Sequence, residues 1–277
     1  MRKDGKRLKN TDPMYTVVPH IMTERSDSLN AITVRVPYQP MHEYILKKRR
    51  EGEHYSYLSL ITAAYVRAVA EYPFLNRFIV NKRIYSRNAL DVGMVVLRNG
   101  MEETMSKVRF MPEDTIADVN RKMNEYIADS RQISSANSTD ELITKLTRSH
   151  FLLTAGMNIF RFMDKHGLLP ASIIDASPFH ASMVISNLAS IRTNHIHHHI
   201  YNFGTVGVLI TIGTLQDIPR RVNGEIILER HIPLGIVMDE RLGSGLQFAK
   251  AFRLIEKHLR HPELLEQPPE RVNRDTD

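Results

Sequence analysis

Residues 204–245 read GTVGVLITIGTLQDIPRRVNGEIILERHIPLGIVMDERLGSG. Two long apolar, β-branched runs, 204–215 and 225–239, flank Asn223-Gly224. Both residues of that pair tolerate positive φ, so the pattern predicts a hairpin of two strands. The second strand runs into Met238-Asp239-Glu240-Arg241-Leu242-Gly243-Ser244-Gly245. A helix is then predicted over about 246–260, with Phe248, Ala251, Phe252, Ile255 and Leu259 on one face. After Pro262 the chain turns polar, and 263–277 reads as a frayed tail.

Working towards the N-terminus, 181–187 is a further strand ending Ile185-Ser186-Asn187-Leu188. Helices are expected over 139–147 and 149–165, a polar loop over 131–139, and an amphipathic helix from Pro112 to about Ser130. Residues 76–80, 83–86, 90–98 and 105–110 read as successive strands, with Asn81-Lys82 as the first tight link. Helices fall near 41–51 and 57–71, and 31–36 (Ala-Ile-Thr-Val-Arg-Val) alternates as a strand should. Residues 1–14 are polar and turn-rich and are expected to lie extended on the surface. Strands and helices mixed in this way, with several hairpins, predict an α/β sandwich around a mixed sheet and not a doubly wound parallel fold.

Composition sets limits. The 277 residues are enough to bury a core without staples, at 42% hydrophobic and 25% charged. The absence of cysteine excludes disulfides, thiolate catalysis, zinc thiolate sites and acyl-cysteine intermediates. Lys and Arg number 37 against 31 Asp and Glu, a net +6. That balance fits nucleic acid, membrane surfaces or phosphorylated ligands such as coenzyme A, and equally a solvated surface. The basic start (Arg2, Lys3, Lys6, Arg7, Lys9) has no apolar run behind it and is no secretory signal. No stretch approaches a membrane span. A cytoplasmic protein is expected, with neither nucleic acid nor membrane as partner.

The order of these elements is distinctive. The Ile-Ser-Asn-Leu strand end, the strand Leu209-Ile210-Thr211-Ile212-Gly213, the hairpin, the Asp-x-Arg turn and the terminal helix resemble the catalytic domain of dihydrolipoyl acyltransferases of 2-oxoacid dehydrogenase complexes. They equally resemble their relative chloramphenicol acetyltransferase. The stretch Tyr57 to Asn76 and the segment Pro19-His20-Ile21-Met22 are similar to the same family. The resemblance covers residues 18–262, leaving 1–17 as a basic N-terminal extension and 263–277 as the tail. It implies the chloramphenicol-acetyltransferase-like sandwich, a homotrimer with a channel between neighbouring subunits, and a coenzyme A thioester as co-substrate. No tightly bound cofactor is expected. No lipoyl domain or Ala/Pro-rich linker is seen, so a role as the acyltransferase core of a dehydrogenase complex is not expected.

What the resemblance implies for the site is partly broken. Glu240 stands where the family has its catalytic histidine and Ser244 where it has Asp or Asn, while Arg241 and Gly245 are kept. Ser186 matches the serine that holds the oxyanion, with Asn187 beside it, and Thr211 matches a supporting threonine. A carboxylate of ordinary pKa about 4.3 is a weaker base than an imidazole of about 6.5, so Glu240 needs burial to serve. Otherwise it sits in a polar network or an ion pair with Arg241. Alternation would place His195, His197 and His199 on one strand face and His198 on the other. That run is open to three readings: a surface coincidence, a replacement base or ligand-binding group (His197, His199), or a metal site. No metal is expected, since no partner segment offers further ligands. His231 reads as an interior or interface residue and Asp239 as structural. Two function classes remain: an acyltransferase with a non-standard or degenerate site, passing an acyl group to a thiol, hydroxyl or amine, or an inactive trimeric binding or scaffold protein.

Overall fold

A computed structural model describes residues 2–9, 11–97, 103–132 and 149–275. The described elements are β1 (Gly5–Arg7), α1 (Pro13–Ile21), β2 (Leu29–Pro37), α2 (Tyr38–Arg50), α3 (Tyr57–Glu71), β3 (Arg77–Val80), β4 (Arg83–Arg87), β5 (Leu90–Leu97), β6 (Glu103–Phe110) and α4 (Ile116–Gln132). They continue with α5 (His150–His166), α6 (Ala171–Ala176), β7 (Met183–Asn187), β8 (Val208–Ile212), β9 (Gln216–Val222), β10 (Glu225–Asp239) and α7 (Gly245–Arg260).

The main sheet runs β2-β10-β8-β7-β5-β6, with β9 paired to the first half of β10. Strands β5, β7 and β8 are parallel and the other pairs antiparallel, so the sheet is mixed as expected. A small sheet β1-β4-β3 stands apart from it. Local chemistry explains the turns. Asn81 and Lys82 (φ 48° and 58°) and Asn223 and Gly224 (φ 51° and 91°) supply the paired positive φ of two-residue hairpins. Helix α3 starts where Ser56 Oγ accepts from Ser59 N, and α5 ends on Gly167 in the left-handed region.

One face of the sheet carries Leu234, Ile236, Ile210, Ile212, Met183, Ile185, Val92 and Met94. These pack with Leu60, Ile61, Ala64 and Tyr65 of α3 and Phe248, Phe252 and Ile255 of α7 in one large core. The opposite face holds a smaller cluster of Val184, Leu209, Val237, Ala181, Ile200 and Val206. The large core rests on period-2 alternation meeting period-3.6 stripes.

Three expectations need correction. The hairpin partner of β10 across Asn223-Gly224 is β9, while 208–212 is a separate, shorter strand that pairs further along β10. The expected surface segment over 1–14 is anchored among its described residues. Leu8 joins the core, Gly5–Arg7 pair with β4, and buried Arg2 bridges Asp4 (2.8 Å) and Asp164 (2.9 Å). The C-terminal residues are also held. Leu265 is buried, Asn273 N donates to Ala70 O (2.8 Å), and Asp275 pairs with Arg77 (2.5 Å). In both termini polar side chains find charged or backbone partners, which local polarity does not reveal. The expected helix over 139–147 lies outside the described residues, as does the loop over 131–139 apart from the end of α4.

Candidate functional site

The sheet register assembles a transverse row on the face away from α3 and α7. Thr33 of β2 pairs with Gly235 of β10, Gly235 with Thr211 of β8, and Thr211 with Ser186 of β7. Cross-strand partners point to the same side of a sheet, so this is a line of three hydroxyls interrupted by a glycine.

The glycine has a reason. A Cβ at Gly235 would lie 2.3 Å from Ile196 O and 2.7 Å from Thr211 Oγ1, and one at Gly213 would lie 2.3 Å from His195 N. The histidine segment therefore crosses directly over backbone at both positions. Buried Thr211 fastens it: Ile196 N donates to Thr211 Oγ1 (3.1 Å), and that hydroxyl donates to Ile196 O (2.5 Å). A glycine inside a β-branched run signals such a close approach. That signal was present in the sequence at Gly235.

The histidines separate into two pairs. His195 Nε2 and His197 Nε2 both reach Thr33 Oγ1, at 3.0 and 3.1 Å. His199 does not join them, contrary to the alternation expected of a strand. It stacks on His198 at 4.7 Å and meets Tyr201 edge-on at 5.1 Å. The reason is that residues 193–200 join no sheet and lack a strand's regular alternation. Among the described residues no three His, Asp or Glu side chains converge as a metal site. Partial burial, then His197 and Arg35, hold the His195 imidazole below the ordinary histidine pKa, favouring the neutral ring.

At the far end of β10 the Asp-x-Arg turn is built around Asp239. This buried carboxylate accepts from Arg241 Nε (2.8 Å), Arg241 Nη2 (2.7 Å) and Ser28 Oγ (3.0 Å), and lies 3.6 Å from Arg25 Nε. Arg25 in turn donates to Tyr201 O and Gly204 O. Arg25 and Ser28 are the partners that sequence reading missed, because they lie more than two hundred residues from Asp239. Asp239 is structural, as expected. The alternative pairing of Glu240 with Arg241 is not what forms: Arg241 is taken by Asp239, and Glu240 Oε2 accepts from Asn30 Nδ2. Ser244 caps α7, its Oγ accepting from Gln247 N while Gln247 Oε1 accepts from Ser244 N (2.8 Å). Gly245 opens that helix beside open space. Asn187, after Ser186, faces the same side as Ile212, and its buried Oδ1 has no hydrogen-bond partner among the described residues.

Within one chain Ser186 and Thr211 are neighbours, and Thr211 supports the segment bearing His195 and His197. Glu240 is not brought to them. It follows the end of β10, five residues beyond Gly235, about 16 Å at ~3.3 Å per residue, and β10 lies two strands across from the β7 of Ser186.

No family model matches the chain, and no curated protein matches its sequence. Solved structures do match its fold. The cubic core of the pyruvate dehydrogenase multienzyme complex superposes with a TM-score of 0.60 at 11% identity, over 93% of either chain. Dihydrolipoamide acetyltransferase of Azotobacter vinelandii gives 0.60 at 12% identity, covering 93% of this chain and 94% of its own. A chloramphenicol acetyltransferase gives 0.55 at 10%, over 92% and 99%. The chain therefore has the chloramphenicol-acetyltransferase-like fold of acyltransferase cores.

Proposed function

We propose that the protein is an acyltransferase-type protein that accepts an acyl thioester, with coenzyme A as the carrier, in a site shared between copies of the chain. The observation that carries this reading is the row Ser186–Thr211–Gly235–Thr33 under the fastened histidine segment. It supports an oxyanion role for the Ser186 hydroxyl: a donor on a rigid strand end stabilises developing negative charge better than mobile water does. In the Azotobacter enzyme a serine, a histidine and an asparagine have roles in the catalytic mechanism. Ser186, Glu240 and Ser244 are their counterparts here by resemblance.

Glu240 stands apart from Ser186 in one chain, so the two cooperate only if the Glu240 turn of one copy faces the Ser186 row of the next. A homotrimer supplies that arrangement, and the cubic core among the structural neighbours is itself an assembly of such domains. The base that takes the acceptor's proton is then Glu240, or His195 or His197, with His195 kept neutral by its surroundings.

The second reading is an inactive binding or scaffold trimer. Two observations favour it: the Glu240 carboxylate is engaged by Asn30, and Ser244 is committed to capping α7.

Acetyl-CoA binding and turnover decide between them, measured with Ser186→Ala, Glu240→Gln and His195→Gln alongside the parent chain. The proposal expects turnover that falls by about 10²–10³ without the oxyanion donor and at least tenfold without the base. Binding without turnover, or neither, leaves the scaffold reading.

A further inference from the structure

Helix α5 leaves an apolar stripe in solvent. Its inward side carries Leu153, Phe160 and Met163, partly buried, and the buried Asp164, which bonds Arg2 and lies 3.3 Å from His180. Phe160 packs on Phe203 at 5.3 Å. The opposite side carries Phe151, Leu152, Ile159 and Phe162, which fall within an arc of about 100° at 3.6 residues per turn. Phe151 is 77% exposed, Ile159 60% and Phe162 58%. Helix α1 repeats the pattern with Met14, Val17 and Ile21 at i, i+3 and i+7, all exposed, Ile21 to 71%.

The two helices border one cavity of about 520 Å³. Pro19 of α1 and Thr23 just beyond it line the cavity, with Arg161 and Lys165 at α5 and Lys82 at the β3–β4 turn. Its buried cations Arg25 and Arg241 are balanced by Asp239, and its Asp164 by Arg2 and His180. Lys82, Arg161 and Lys165 enter no ion pair among the described residues, and Glu24 is the acid left to offset them.

We propose that α1, α5 and the basic cavity they border form a docking face for an anionic phospholipid surface. The chemistry is that of interfacial helices: apolar side chains enter the acyl boundary while neighbouring Lys and Arg hold headgroup phosphates. In a two-fold contact a second copy would bring three uncompensated cations against three more, whereas anionic headgroups neutralise them. Neither helix spans: among the described residues none is long and apolar enough to cross a membrane. The proposal is independent of the acyl-transfer reading, since no residue varied below belongs to the Ser186 row or the Asp239 turn.

The test is co-sedimentation of the full chain with vesicles of mixed phosphatidylglycerol and phosphatidylcholine, and with phosphatidylcholine alone. Binding to the anionic vesicles that weakens with added salt is expected, with at least tenfold weaker binding to the neutral ones. Ile159→Asp with Phe162→Asp, and separately Lys82→Glu with Lys165→Glu, should each lower the affinity at least tenfold. All four positions are on the surface, and circular dichroism checks the fold. Absence of binding to anionic vesicles overturns the proposal, as does full binding by the Asp double variant. Displacement by inorganic phosphate at the concentration of lipid phosphate would reduce the cavity to a free-anion site. A change of oligomeric state in the Asp variant with vesicle binding intact would assign the face to a second copy; either result overturns it too.

Discussion

The two faces of the main sheet are built on different principles. Towards α3 and α7 the sheet presents aliphatic rows that interlock with helix stripes. On the other face the apolar cluster is small, and the space beside it holds hydroxyls, a glycine and a strap of backbone fastened by Thr211. The first face is held by apolar area, which many similar residues supply. The second is held by a few directional bonds to specific groups, with Thr211, Thr33 and Asp239 each serving several of them. The difference teaches where substitutions are absorbed and where they alter geometry.

The largest effect is expected where charge is buried at the end of the second face. Asp239→Ala leaves Arg25 and Arg241 buried without their carboxylate and should cost about 3–5 kcal/mol, read as a loss of soluble protein or a large fall in denaturant midpoint. An effect below about 1 kcal/mol would mean water reaches the turn.

Next come paired truncations. Leu234→Ala on the helix-backed face should cost about 2–5 kcal/mol by transfer and cavity terms, while Leu209→Ala, in the small cluster, should fall at the lower end of that range. Equal costs in chemical denaturation would break the distinction between the faces.

Thr211→Val is nearly isosteric and should cost only about 1 kcal/mol globally. It should nonetheless release the strap, with amide exchange at Ile196 about tenfold faster while core amides change less. Uniform acceleration would show that Thr211 serves global stability alone.

The smallest effect concerns pH. Burial is the main cause holding His258 and His195 below the ordinary histidine value, and His258 Nδ1 donates to Leu254 O at 2.9 Å. The unfolded chain therefore binds protons that the native state does not. Stability is full above about 6.5, declines as pH falls from there towards the lowered native values, and loses nothing further from these groups below them. Thermal midpoints between pH 8 and 5 should follow that course, and His258→Gln should flatten it. A midpoint that rises on acidification would reverse the sign and refute the account.

Much of this was legible in the sequence. Strand and helix order, the two Asn-led hairpin turns, the α7 stripe and the mixed sandwich follow from periodicity and turn chemistry, which are local. The resemblance drawn from Ile185–Leu188 and the Asp-x-Arg turn led to the fold that the structural neighbours share. The short strand β8 was merged with the run before β9, because apolar runs do not mark where pairing partners change.

What only the tertiary structure decided is who meets whom. The sequence placed Ser186, Thr211, Gly235 and Thr33 on strands; register set them in one row. It offered Arg241 to Glu240; the fold gave Arg241 to Asp239 and Glu240 to Asn30. It read the first residues as extended on the surface; the fold buried Arg2 against Asp164. The physical reason is common to all three. Backbone geometry is fixed by neighbours a few residues away, whereas hydrogen-bond and ion-pair partners are chosen among groups brought close by burial, at sequence separations no local pattern encodes.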